Sequence, residues 1–196
     1  MNKRTFFDNE KATLTCMVQG DNPGRIKELM KKSAPQGAEA FGIQFEQMNS
    51  EYRNAEVYKE LFACAEDKPT YVTNYRYNKN EGKSDEQLAE ELLELADCGA
   101  DLCDMMGDYF DRQPDEITYN ETAVAKQKNL IDKLHKRGAR VLISSHIMKF
   151  TPADEVFTHT VRSTDIDAGH HMNNVAYVRV LLDCFPAAVL AGGDIS

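Results

Sequence analysis

No apolar run in this sequence approaches the roughly 20 residues that a membrane-spanning helix requires, so we expect no membrane partner. Basic residues are also scarce, since 23 lysines and arginines stand against 32 acidic residues and the net charge is −9. Such a charge repels a phosphate backbone and excludes nucleic acid as a partner. The first apolar segment is only two residues long, because Phe6 and Phe7 are followed at once by the charged Asp8. It is too short for the h-region of a secretory signal, so we predict a cytoplasmic protein.

The cysteines form no recognisable framework. There are five of them, an odd number, and their spacings fit no zinc pattern. In a protein predicted to remain in a reducing compartment, we expect reduced thiols packed as small apolar residues, with no metal bound.

An alternation of two periodicities runs from Ala12 to His146. Short apolar segments typical of strands alternate with segments whose apolar residues recur at helical spacing. The pattern predicts strands at 12–18, 38–45, 69–76, 100–106 and 140–146, and helices at 25–33, 54–66, 84–98 and 123–136. Ser84 and Gln87 have the spacing of a capping box at the start of the third helix. Strands separated by helices predict parallel pairing with right-handed crossovers.

Three junctions repeat the same dipeptide, at Gly37-Ala38, Gly99-Ala100 and Gly138-Ala139, where a glycine ends a helix and a strand begins. Each unit takes about 27–30 residues, near the repeat of a barrel that closes eight units in about 250 residues. Only five units fit before His146. The predicted fold class is therefore α/β, a partial (β/α) TIM-type barrel. Its sheet has two open edges, so we expect them to be covered by the tail, by a second copy of the chain in a homo-oligomer, or by a partner protein.

In such an array the catalytic groups come from the C-terminal ends of the strands. These ends carry Gln44, Glu46, Arg76, Asp104, Asp108 and His146. Arg76 could bind a carboxylate through two hydrogen bonds, and His146 could transfer a proton near neutral pH, which suits a small anionic substrate. The alternative is that both side chains only satisfy polar groups at the rim.

Two segments carry a resemblance to a known family. The first is Thr-Asn-Tyr-Arg at 73–76 followed by Lys-Asn-Glu-Gly at 79–82. The second is 143–155, which contains a histidine and a Thr-Pro pair. Both segments resemble parts of type I 3-dehydroquinate dehydratase. The resemblance covers residues 12–155 and implies a (β/α)8 barrel that dehydrates 3-dehydroquinate through a lysine Schiff base, without a cofactor. It implies that His146 is the general acid/base, with Arg76, Glu81 and Gln44 as substrate-binding residues.

The sequence also departs from that family. The family has a Glu-x-Arg pair on the second strand, which aligns here with Gly42 and Gln44. The family's aspartate after the catalytic histidine aligns with Ile147, and its acidic residue late in the fourth strand aligns with Met106. The Schiff-base lysine lies on a sixth strand, for which we find no counterpart. Without an iminium as electron sink, we predict little or no dehydratase activity.

The pattern changes after Glu155, where we place a domain boundary between 1–155 and 156–196. Residues 156–162 predict a half-buried strand and 175–185 a helix, and the polar segment between them resembles the signature of hotdog-fold acyl-ACP thioesterases. That resemblance implies a thioester-hydrolysis site with Asp167, His171 and Asn173. Three alternatives remain open for this segment: a polar cap on a helix, a metal site of Asp165, Asp167, His170 and His171, and a non-catalytic interaction module.

Overall fold

A computed structural model describes residues 5–6, 13–112 and 120–145. Within them, strands and helices alternate as β1 (Thr15–Val18), α1 (Pro23–Ser33), β2 (Ala40–Gln44), α2 (Ala55–Ala63), β3 (Thr70–Thr73), α3 (Asp85–Asp97), β4 (Leu102–Met106), α4 (Glu121–Lys136) and β5 (Arg140–Ser144). The chain divides between Phe150 and Thr151 into two units, and all of these elements belong to the first. The predicted boundary after 155, and the strand and helix predicted beyond it, lie outside the described residues.

Side-chain caps determine where the helices begin. The side-chain oxygens of the four N-cap residues accept a hydrogen bond from a backbone N–H of the first turn; these residues are Asn22, Asn54, Ser84 and Asn120. The predicted capping box of Ser84 and Gln87 is confirmed. Helix α1 begins at Pro23, earlier than predicted, because the first turn of a helix tolerates proline, whose missing N–H has no helical acceptor there.

The repeated glycine junctions adopt the backbone that their sequence predicts. Gly37, Gly99 and Gly138 have φ angles of 101°, 114° and 85°, the left-handed conformation that ends a helix with little strain only at glycine. The prediction that the third strand extends to residue 76 is wrong, since β3 ends at Thr73. Asn74 leaves the strand because its side chain bonds to Glu91 (3.0 Å) and to Asn80 (2.8 Å).

The five described strands form one parallel sheet in the order β1-β2-β3-β4-β5. The register places Met17 beside Gly42, Gly42 beside Tyr71, and Asp104 beside Leu142. Among the described strands, β1 and β5 each have one neighbour, so these strands do not close a barrel. The predicted partial (β/α) barrel is confirmed.

The helices pack on one face of this sheet, and the core lies between them. Buried side chains of the strands, such as Phe41, Ile43, Val72 and Met105, meet Leu61, Leu88 and Leu92 of the helices. Because successive side chains of a strand alternate, the opposite face carries a second set of residues. This inner face includes Met17, Gly42, Gln44, Tyr71, Thr73, Asp104 and Ser144. None of the described helices has the length and apolarity needed to cross a membrane.

Candidate functional site

A buried carboxylate with three hydroxyl donors lies on the inner face. The hydroxyls of Tyr71 and Tyr75 both donate to Oδ2 of Asp104, the second at 2.5 Å, and the Ser144 hydroxyl donates to Oδ1 at 2.6 Å. Asp104 is 2% exposed. Burial, and then the hydrogen bond to Asp104, raise the pKa of Tyr75 to about 12 and raise the pKa of Tyr71 further still. This group, the Asp104 cluster, therefore joins β3, β4 and β5 through hydroxyls that stay protonated at neutral pH.

Arg76 lies between two carboxylates. Its Nε and Nη2 bond to the two carboxylate oxygens of Asp85 at 2.7 and 2.8 Å, and its Nη1 bonds to Oδ1 of Asp108 at 2.6 Å. All three side chains are largely buried. Burial acts to lower the pKa of Arg76, but the hydrogen bonds to both aspartates outweigh it and hold that pKa above its ordinary value. This Arg76 triad links the end of β3 to the first turn of α3 and to the loop after β4.

A second buried network holds the loops after β2 and β3. Arg53 donates to the Asn80 side chain at 2.5 Å, to Glu91 at 3.2 Å and to the Met48 carbonyl at 3.0 Å. Glu91 also pairs with Lys83. Because these bonds connect both loops to α3, the walls at the carboxyl ends of β2 and β3 are fixed before any ligand arrives.

Glu46 is nearly inaccessible to solvent. It is 3% exposed and accepts hydrogen bonds of 2.9 and 3.1 Å from the Thr73 hydroxyl. Burial raises the pKa of its carboxyl group, and this effect outweighs the opposing hydrogen bonds from the backbone and from Thr73 and the nearby charge of Arg53. Its contact with Thr73 holds the end of β2 to the end of β3.

An open groove of about 790 Å³ lies at the carboxyl ends of β1, β2 and β3. It is lined by Met17, Gln19, Gly20, Asp21, Arg25, Leu29, Gln44, Gln47 and Lys79. Arg25 pairs with the exposed Glu28 at 2.9 Å, whereas Lys79 is exposed and forms no ion pair with any residue that the structure describes. The groove thus combines Lys79, the paired Arg25, the carboxylate of Asp21, three amides and the apolar side chains of Met17 and Leu29. In the described part of the chain, no three His, Cys, Asp or Glu side chains converge as a metal site would require.

The residues predicted as a site do not all meet in this groove. Gln44 lines it, but Glu81 is exposed elsewhere on the loop after β3, and Arg76 is held in its triad. His146 and the residues of the predicted thioesterase site, Asp167, His171 and Asn173, lie outside the described residues. The roles assigned to all of these side chains remain predictions.

Sequence reasoning did not identify Lys79, Arg25, Tyr71, Tyr75 or Ser144 as members of a site. Tyr71 could have been found from the strand alternation, because it occupies an inner-face position on the strand beside Asp104, which the sequence analysis did name. Lys79 gave no such signal, since it lies in a short 3-10 helix whose position depends on the Arg53 network. The sequence pattern marked residues 77–83 only as a polar loop, and the dehydratase resemblance included part of it.

Comparison with solved structures identifies the fold. The chain is similar to the 3-dehydroquinate dehydratase of Geobacillus kaustophilus, with a TM-score of 0.52 and 10% identity over 68% of this chain and 49% of that one. It is likewise similar to a type I 3-dehydroquinate dehydratase of Clostridium difficile that carries a covalently modified comenic acid. That match has a TM-score of 0.52 and 16% identity over 73% of this chain and 56% of the other.

The first unit has the fold of the 3-dehydroquinate dehydratases. At these identities the similarity concerns the fold alone, and the chain spans about half the length of both dehydratases. No curated protein matches the chain. Residues 149–195 match a different family, the acyl-ACP thioesterase C-terminal domain. The chain therefore joins a dehydratase-like (β/α) unit to a thioesterase-like segment, as both sequence resemblances predict.

Proposed function

We propose that the dehydratase-like unit binds a small carboxylate of the 3-dehydroquinate kind in the groove and dehydrates it far more slowly than a Schiff-base enzyme. The observation that carries the proposal is the position of Lys79 at the carboxyl ends of the strands, where (β/α) barrels bind their ligands. Among the described residues it has no ion-pair partner. An ammonium group there can hold a carboxylate, while Gln44 and Gln47 can bond to hydroxyl or carbonyl groups.

The expected slow turnover follows from a weak electron sink at the substrate carbonyl. Dehydration next to a ketone removes a proton from the carbon beside the carbonyl and expels a hydroxyl group one carbon further on. His146, as predicted general acid/base, would take that proton and return one to the departing hydroxyl. A lysine amine that forms an iminium makes the carbonyl a stronger sink, but none of the five described strands contains a lysine.

The test is a calorimetric titration of the full chain with 3-dehydroquinate, followed by absorbance of the conjugated product and by borohydride trapping with intact-mass detection. We expect saturable binding that Lys79→Ala weakens about fivefold, as loss of one partly solvated charge-assisted hydrogen bond should. We also expect slow turnover and no trapped adduct. The matched control is Lys128→Ala, which removes an exposed lysine of α4 outside the groove.

Three results would contradict the proposal. The binding part fails if 3-dehydroquinate does not bind, or if Lys128→Ala weakens it as much as Lys79→Ala does. The catalytic part fails if the protein dehydrates 3-dehydroquinate at an ordinary enzyme rate, or if borohydride fixes the substrate to a lysine. Loss of the slow turnover in His146→Ala, with binding retained, would support the predicted role of that histidine.

A second candidate function concerns residues 149–195, because they match the acyl-ACP thioesterase C-terminal domain. We propose that this segment binds an acyl thioester, with Asp167, His171 and Asn173 at the site. The expected result is hydrolysis of acyl-ACP or acyl-CoA that His171→Ala abolishes and His146→Ala leaves unchanged. Absence of hydrolysis in the folded full chain, or hydrolysis indifferent to His171→Ala, would reject this function.

A further inference from the structure

One residue in the wall of the groove, Met17, offers almost no hydrogen bonds. Met17 on β1, Gly42 on β2 and Tyr71 on β3 are neighbours in the sheet register. A Cβ atom at Gly42 would overlap Sδ of Met17 and would lie 2.9 Å from Cδ1 of Tyr71, so these two side chains close over the glycine. We call these three residues the Met17 platform.

The platform meets the groove through Met17, whose side chain covers Gly42. Met17 is 45% exposed and presents a polarisable thioether, which is a weak acceptor and not a donor. The hydroxyl of Tyr71 is already engaged with Asp104, so Tyr71 contributes ring atoms beside Gly42. A hydroxyl group of a ligand pressed against this surface would lose water and gain no partner, which is unfavourable.

The rest of the groove has the opposite character. Lys79 and Arg25 supply positive charge, although Arg25 is paired with Glu28, and Asp21 adds one carboxylate. Gln44 and Gln47 supply amide donors and acceptors. A well-matched ligand therefore has a carboxylate and one or two hydroxyls along one edge, and a flat face without axial hydroxyls for the platform. A methionine sulfur also makes favourable contacts with aromatic rings.

From this juxtaposition we propose that the groove selects planar aromatic carboxylates over saturated polyhydroxy carboxylates. The inference rests on the proposed function in placing the carboxylate at Lys79, and it adds that Met17 determines the preference for a flat ring. A saturated ring can still bind through Lys79, but it has to turn hydroxyl groups toward Met17.

The test compares two probes that share a carboxylate and neighbouring hydroxyls and differ in the ring: 3,4-dihydroxybenzoate and quinate. Calorimetric titration of the full chain is expected to show at least fivefold tighter binding of 3,4-dihydroxybenzoate. Met17→Gln places amide donors on the platform and should reduce that ratio to about one. The matched control is Leu142→Gln, at another half-exposed apolar position of the inner face that does not line the groove, and it should keep the ratio.

The outcomes separate this inference from the proposed function. Equal or tighter binding of quinate, with both probes weakened by Lys79→Ala, would overturn the ring preference and leave the carboxylate site standing. A preference for 3,4-dihydroxybenzoate that survives Met17→Gln, or disappears equally in Leu142→Gln, would overturn the role of Met17. Failure of both probes and of 3-dehydroquinate to bind would overturn both proposals.

Discussion

Replacement of Arg76 by methionine is expected to lower the free energy of unfolding by about 3–5 kcal/mol, the usual effect of removing one partner from a buried ion pair. Arg76 gives four hydrogen bonds to Asp85 and Asp108, including one of 3.0 Å to the Asp108 carbonyl. With a methionine at position 76, two carboxylates that are 14% and 5% exposed would lose their cation. Burial of unpaired charge is the main cost.

The backbone near Asp85 adds to the expected effect. Phe110 has a φ of 68°, which is strained for a bulky side chain, and its N–H donates to Oδ2 of Asp85 at 2.7 Å. Arg76 holds that carboxylate in place, so the substitution also loosens the bond that maintains the strained turn. The loop after β4 should therefore be among the first regions to lose protection from hydrogen exchange.

Urea unfolding of the full chain, followed by far-ultraviolet circular dichroism, measures the effect of Arg76→Met. The control is Arg25→Met, which breaks an exposed pair with Glu28 and should change stability by about 0.5 kcal/mol or less. Arg76→Lys keeps the charge but not the two-oxygen contact, and it should fall between the two. If Arg76→Met costs no more than Arg25→Met, the triad does not stabilise the fold.

The same geometry bears on the predicted role of Arg76 as a substrate ligand. Its guanidinium group has five N–H donors, and four of its hydrogen bonds go to the two aspartates. A substrate carboxylate would have to displace one aspartate, or use the single donor that remains. Lys79 reaches the groove without any such exchange, and the proposed binding site therefore centres on it.

Much of the fold could be predicted because it depends on local patterns. Helical spacing of apolar residues, the capping pair of Ser84 and Gln87, and glycines at helix ends act within a few residues, and each was located from the sequence. Parallel pairing followed from the alternation of strands and helices. The end of β3 was misjudged because Asn74 turns away to meet Asn80 and Glu91, contacts that the local pattern around Thr73 does not contain.

The candidate site could be predicted only in part, because its partners are distant in the sequence. Strand-end reasoning found Gln44 and named Arg76 and Asp108 as separate candidates, yet it did not foresee that the last two form an ion pair. Asp85 was overlooked because an acidic residue in the first turn of a helix already has a local explanation. The Met17 platform depends on which way three strands face and on their register.

The second large effect is expected for Asp104→Ala, which should lower the free energy of unfolding by about 3 kcal/mol because the alanine leaves three hydroxyl donors without their charged acceptor. Tyr71, Tyr75 and Ser144 come from strands β3 and β5 and the loop after β3, so the loss should weaken the attachment of β4 to both β3 and β5.

Asp104→Asn retains one oxygen acceptor and should cost about 1 kcal/mol, since the hydroxyls can rotate to accept from its amide. The control is Asp132→Ala, an exposed aspartate of α4, for which a change of about 0.5 kcal/mol or less is expected.

Alkaline pH provides an independent readout of the Asp104 cluster. Because the pKa of Tyr75 is about 12 in the folded protein, above the usual 10, the folded state binds the proton more tightly. Stability should then fall as pH rises from 10 to 12, and this fall should be smaller in Asp104→Ala, where one cause of the raised pKa is gone. If Asp104→Ala has the same alkaline profile and the same stability as the wild-type protein, the three hydroxyls bond to water as well as they bond to Asp104. The Asp104 cluster would then have no part in holding β5 to the sheet.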